Sequence, residues 1–363
     1  MKKKRIRLRT KYKGSTMIKR KYLPIFLFAF LPVFSIQAQA KQPLEVNVPG
    51  VNGETVFTYQ LNTPDPVMRR VPAATLAQRQ KDPDEFIRLL AAYITTNASS
   101  DYDKVKKAHD WVALNIKYDV QSFLSGRYQS QAAGAVLKRG MAVCAGYSDV
   151  FKMICDALEI DCVIVSGYAR GYGSSLFKYE DPNVSNHAWN IVTIAGKKYL
   201  IDSTWDSGSI SGANFLPRYK TQYLFTDPEH FINEHFPIDR KYQLLDPPLT
   251  AEAFDAVPFI NPVFYQIAEI NQKLARITEV TIEEDGVPFS LELTLKPEYE
   301  LIYGWYTNGR TRVGRGDNYP GRKDRYQITM PALKPGNYSL RIWVRRIGER
   351  TSEYCGEFGF VVK

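Results

Sequence analysis

The chain predicts an α+β core followed by a β-sandwich, and three observations carry that reading. Apolar residues recur at helical spacing between Asp82 and Leu158. The period falls to two at Cys162, where strand-like runs begin. From about Asn271, six short alternating runs separated by Gly-, Pro- and Asn-containing turns fill the C-terminal part, a spacing that suggests an immunoglobulin-like sandwich.

The 363 residues are enough for two domains of ordinary size, and a hydrophobic content of 44% excludes a disordered chain. The formal charge of +10 is misleading. Residues 1–40 hold eleven Lys and Arg and no Asp or Glu, so removing them leaves −1 for residues 41–363. The global electrostatic case for a nucleic-acid partner disappears with that balance.

Those forty residues have three parts: a basic region to Lys21, an apolar run from Tyr22 to Ile36, and Gln37-Ala38-Gln39-Ala40 with small residues where a signal peptidase reads. The apolar run, interrupted by Pro24 and Pro32, falls short of the ~20 residues a spanning helix needs. The segment reads as a secretory signal peptide cut after Ala40. The mature protein is then expected to be secreted or periplasmic, without stable membrane insertion.

A Pro-rich extension over residues 41–81 contains one strand-like run, Val56–Leu61. A helix is predicted from Asp82, with Pro83 in its first turn and Asp84 and Glu85 favouring its positive end, to about Thr96. Asp101 is read as the cap of the next helix, which places Val105, Ala108, Trp111, Val112 and Ile116 on one face. A loop is expected through Gly126. A third helix starts near Val143, with Cys144, Ser148, Phe151, Cys155 and Leu158 at helical spacing. Cys162–Tyr168 reads as a strand. His187–Ile194 and Lys198–Ser203 read as a hairpin turning at Ala195-Gly196. Residues 204–262 show few regular patterns. The later runs are Ile277–Ile282, Ser290–Leu295, Leu301–Thr307, Tyr326–Met330, Tyr338–Val344 and Cys355–Val362.

Four cysteines are too few for a disulfide scaffold, and their spacing is not that of a zinc site. Cys144 is the candidate nucleophile. At a helix N-terminus its thiol pKa is lowered, and its own N–H can face a developing oxyanion. A thiolate also needs an oriented base. If the hairpin turns in two residues, facing positions have an odd sum, so Asp202 falls on the side of His187. Cys144, His187 and Asp202 therefore form the candidate catalytic set. The plain alternative for Cys144 is a buried core thiol. Cys155 and Cys162 are read as core thiols, Cys355 as core or edge of the sandwich, and His235 as structural, having no second ligand at zinc spacing. No metal and no other cofactor are expected. Tyr118 and Gln131 are candidates for a second oxyanion donor.

The runs Val143-Cys144-Ala145-Gly146-Tyr147-Ser148, Val165-Ser166-Gly167-Tyr168, His187-Ala188-Trp189-Asn190 and Ile201-Asp202-Ser203-Thr204-Trp205 together resemble the transglutaminase-like superfamily, which shares the papain-type core. Trp111, Asn115-Ile116-Lys117-Tyr118-Asp119, Tyr223-Leu224-Phe225-Thr226-Asp227-Pro228, His235-Phe236-Pro237 and Gln243-Leu244-Leu245 are similar to its kyphoscoliosis-type branch. Ala142 before Val-Cys, and Asp206-Ser207-Gly208 after Thr-Trp, depart from the family pattern. The resemblance covers roughly residues 84–260 and implies a transglutaminase-like catalytic domain over residues 82–262; the strand spacing places the immunoglobulin-like sandwich at 265–363. The resemblance also implies that Trp189 and Trp205 wall the triad. The function it implies is a cysteine-dependent acyl-transfer enzyme acting on amide bonds of a protein or peptide substrate, which the leader segment would make an exported one. That enzyme would be a peptidase, an amidase or a transglutaminase. The alternative is a non-catalytic transglutaminase-like scaffold or binding protein.

Overall fold

The computed structural model describes residues 43–171, 173–270, 275–281, 290–307, 311–314, 325–331 and 333–363; the expected signal peptide lies outside them. Residues 43–363 form one compact unit. The extension opens with an antiparallel hairpin, β1 (Glu45–Pro49) and β2 (Thr55–Gln60), followed by helix α1 (Ala73–Lys81). The sequence reading caught β2 and missed β1 and α1. Both are short, and α1 buries little, so neither leaves a strong apolar period.

Helix α2 (Pro83–Asn97) starts where expected: the Asp82 carboxylate accepts the Glu85 N–H at 3.1 Å. Helix α3 (Asp101–Asn115) is capped one residue earlier than expected, by Ser100, whose extended backbone lets its hydroxyl accept the Asp103 N–H. The loop expected through Gly126 holds a two-residue strand, β3 (Lys117–Tyr118), and a short helix, α4 (Val120–Ser125). Helix α5 (Ala133–Arg139) and strand β4 (Met141–Ala142) follow. Gly126 and Gly140 end α4 and α5 at positive φ. Helix α6 (Cys144–Ala157) buries Tyr147, Val150, Phe151, Ile154 and Cys155.

A five-stranded antiparallel sheet supports α6. It contains β5 (Asp161–Ala169), β6 (His187–Ile194) and β7 (Lys197–Ile201). The β6–β7 turn is Ala195-Gly196, with φ of 49° and 79°, the double positive φ of a type I′ turn. The stretch expected to be irregular contributes a separate hairpin, β8 (Gly208–Ser211) and β9 (Asn214–Pro217), then β10 (Leu224–Thr226), helix α7 (Pro228–Phe231) and β11 (His235–Pro237). Strands β10 and β11 close the two edges of the main sheet, in the order β10-β7-β6-β5-β11. Each has only three residues, too few to show a period.

Helix α8 (Ala251–Ala256) leads to the C-terminal sheets. These comprise β12 (Phe259–Ile260), helix α9 (Pro262–Ile267), β13 (Ala268–Ile270), β14 (Ile277–Val280), β15 (Ser290–Leu295), β16 (Tyr299–Thr307), β17 (Thr311–Gly314), β18 (Arg325–Thr329), β19 (Gly336–Arg346) and β20 (Glu353–Val362). One sheet runs β12-β20-β19-β16-β17, with β14 parallel to β20; the other runs β13-β15-β18. Leu291, Leu293 and Ile328 of the second share a core with Trp305, Leu340, Ile342 and Phe360 of the first. Each of the six expected runs contains a strand; the end of the first, Ile282, lies outside the described residues. Strand β12 falls within the stretch assigned to the first domain, yet it pairs with β20. The fold is thus a papain-like α+β core with an additional sheet domain at its C-terminus. Among the described residues, no helix is long and apolar enough to cross a membrane.

Candidate active site

Cys144 is the first residue of α6. The lead-in is held from two sides. Gln131 Oε1 accepts the Val143 N–H at 3.0 Å, and the parallel pairing of β3 with β4 sets Tyr118 beside Ala142. Gly146 gives the turn its room: a Cβ there would lie 2.7 Å from both the Ala142 Cβ and Gln131 Oε1. Gln131 thus braces the lead-in to the thiol, with one Nε2 hydrogen donated to the Gln129 carbonyl. Tyr118 faces the same cavity as His187.

His187 opens β6, and the odd-sum register of the hairpin places Asp202 on its side, just past the end of β7. His187 Nε2 lies 2.7 Å from Asp202 Oδ2. The Cys144 thiol and this imidazole are close enough to shift each other's pKa, and with Nε2 held by Asp202, Nδ1 is the ring nitrogen left to face the thiol. Asp202 is buried, and its Oδ1 accepts the N–H groups of Thr204 and Trp205 at 2.9 and 3.1 Å. The electrostatics follow. Burial alone would raise the thiol of Cys144, but the adjacent imidazole and the Ala188 N–H outweigh it and hold the thiol below its ordinary value. Burial would also lower His187, yet the charges of Asp202 and Cys144 push it up to about 10. Burial opposes ionisation of Asp202, but the two imidazoles beside it hold its carboxyl well below the usual carboxylate range.

The second imidazole is His235, the residue that sequence reasoning set aside. Strand β11 pairs with β5 and brings His235 Nε2 to 3.1 Å from the same Asp202 oxygen that meets His187. Burial lowers His235 to about 4, so it stays neutral beside a charged His187. Sequence spacing gave His235 no second ligand, whereas the fold gives it two. The two Nε2 atoms and an Asp202 oxygen lie within 4.8 Å of one another, a set that could hold a divalent ion. An ion there would take the nitrogen lone pair that must carry a proton for the His187–Asp202 hydrogen bond to form.

Trp205 lines the cavity, with its ring 5.2 Å from His187 and 4.4 Å from His235. Trp189 is fully buried behind them, 6.1 Å from His187. Of the two, Trp205 forms the wall and Trp189 packs the rear. Asp206, read as a departure from the family pattern, turns out to be an anchor. It accepts the N–H groups of Gln222 and Tyr223 at 2.8 and 3.0 Å and meets His109 Nε2 at 3.0 Å, which ties the segment after Asp202 to α3. Cys155, Cys162 and Cys355 are buried free thiols. Burial, with Cys162 beside it, raises Cys155 well above the ordinary thiol value, and burial pushes Cys355 up as well.

The cavity in front of His187 has a volume of about 880 Å³. One side comes from the core, with Tyr118, Trp205 and Phe215; the other comes from the C-terminal sheet, with Tyr306, Tyr338 and Arg341.

Known proteins resemble part of this sequence. The model of the transglutaminase-like superfamily matches residues 88–202, a stretch that holds Cys144, His187 and Asp202. Kyphoscoliosis peptidase of Mus musculus is 31% identical over 258 residues, which is 70% of this chain and 38% of the mouse protein. Its Homo sapiens counterpart is 29% identical over 178 residues, 48% of this chain and 27% of the human one. Hillarin of Drosophila melanogaster is 25% identical over 246 residues, 62% of this chain and 28% of the fly protein. The chain spans roughly a quarter to two fifths of the length of these relatives. It contains a transglutaminase-like domain, of the branch to which the kyphoscoliosis peptidases belong.

Proposed function

We propose that the chain is a cysteine-dependent acyl-transfer enzyme acting on amide bonds of protein or peptide substrates. The observation that carries the proposal is a thiol at a helix N-terminus, its pKa lowered by a neighbouring imidazole whose far nitrogen is held by a buried carboxylate. Cys144 Sγ attacks the amide carbon. The oxygen takes the negative charge near the first N–H groups of α6, which have no partner within the helix. The C–N bond then breaks, and the His187 proton passes to the departing nitrogen, leaving a thioester on Cys144. Attack by water would complete hydrolysis; attack by a second amine would complete transamidation. In either case His187 takes the proton of the attacking group and the thiolate is released. Asp202 keeps the imidazole in the tautomer and orientation both steps need.

The test is alkylation with a thiol-directed probe followed by peptide mapping. One dominant site at Cys144, absent from Cys144→Ala, is the expected result. Even labelling of several cysteines, or none at Cys144, leaves the non-catalytic scaffold. We also propose export, on the strength of the basic and apolar leader. Mature protein recovered from cells should begin at or near Lys41; recovery with the leader attached would refute export.

A further inference from the structure

Two carboxylates line the cavity, Glu234 and Glu357. Glu357 is paired with Arg341 at 2.9 Å. Glu234 is 8% exposed and has no ion-pair partner among the described residues. The one hydrogen bond of its side chain among them comes from the Tyr223 hydroxyl, 2.6 Å from Oε2. The direction of that bond is settled by the next residue. Asn261 Oδ1 accepts the Val263 N–H at 3.0 Å, so its Nδ2 is the atom that donates to the Tyr223 oxygen at 2.8 Å. The proton of Tyr223 is therefore directed at Glu234, and the second carboxyl oxygen is left to the cavity. The cavity's cations are already committed. Lys220 lies 3.3 Å from Glu353, and Arg170 donates to the carbonyls of Asn233, Phe254 and Val257.

A buried acceptor with one oxygen unclaimed, in a cleft walled by aromatic rings, suits a cation on an apolar stem. The geometry points to Glu234 as a specificity-determining residue: it receives a basic side chain of the peptide whose amide lies at Cys144. This inference rests on the thiol reading above and names the substrate class for the same cavity.

The experiment measures how well a tripeptide protects Cys144 of the full chain from iodoacetamide. Acetyl-Gly-Lys-Gly-amide is compared with the neutral isostere carrying norleucine, at pH 8. The lysine peptide should protect at about tenfold lower concentration, the scale of one charge-assisted contact. The advantage should shrink to within about twofold in Glu234→Gln. Alkylation without peptide reports that the site of the variant is intact; should the variant not fold, the wild type alone reads the preference, with acetyl-Gly-Glu-Gly-amide protecting less than the norleucine peptide. Equal protection by the two peptides at pH 8, or a lysine advantage that Glu234→Gln retains, overturns the inference. Failure of Cys144 to react without peptide defeats the thiol reading itself, and this inference with it.

Discussion

At the scale of single residues, Asp202 decides the chemistry more than its position at the end of the triad suggests. One of its oxygens meets two imidazoles, and only one of them is charged. His187 faces both the carboxylate and the thiol, and their combined charge outweighs the cost of burying its own. His235 is packed among Phe231, Trp189, Trp205 and Tyr223, with no second anion beside it, so desolvation prevails. Asp202→Asn removes the charge that holds the imidazolium. The thiol of Cys144 then loses its opposing charge, and its pKa returns toward the ordinary value. Because the wild-type thiolate persists as pH falls below that value, alkylation of the wild type should stay fast at pH 6–7. The Asp202→Asn profile should shift to higher pH, and turnover should fall about 10²–10⁴-fold. An unshifted profile would mean that Asp202 does not set the thiol.

At the scale of elements, the start of α6 is the position with least tolerance. Val143 offers no capping side chain, so Gln131 supplies the bond from outside, and Gly146 leaves room for it. Gly146→Ala would drive a methyl against Ala142, Gln131 and Val136. Overpacking of this kind costs about 1–3 kcal/mol. Urea denaturation should show the loss, and Cys144 alkylation should slow in the folded variant, since the atoms displaced are those that lead into the thiol. A variant as stable and as reactive as wild type would show that the lead-in is free to move.

At the scale of the molecule, the C-terminal sheets do more than follow the core in the chain. Strand β12 leaves the core to join β20, and the sheet it enters supplies Tyr306, Tyr338 and Arg341 to the cavity. The Tyr306 ring also carries the Arg341 guanidinium at 4.8 Å. Tyr306→Ala should weaken peptide protection of Cys144 by about fivefold, near 1 kcal/mol, while leaving iodoacetamide alkylation without peptide unchanged. Equal loss in both measurements would place Tyr306 in the general stability of the protein and not in its binding wall.

What the sequence determined by itself was local. A cysteine at the first helical position, a two-residue turn with room for positive φ, and an odd-sum register are all settled within a few residues of one another. That is why His187 and Asp202 could be paired on paper before any fold was known. The register holds because the side-chain period of a strand is two, and no distant contact is needed to enforce it. Strands β10 and β11 were not legible, since three residues carry no period and their place at the sheet edges depends on chain that returns from far away. With β11 come His235 and Glu234, one completing the hydrogen bonding of Asp202 and the other facing the cavity. Asp206 looked like a deviation from a motif until α3 supplied His109 as its partner. Only the tertiary structure could make these assignments, because each depends on two elements distant in sequence being packed into one buried space, where an unpaired charge would be costly.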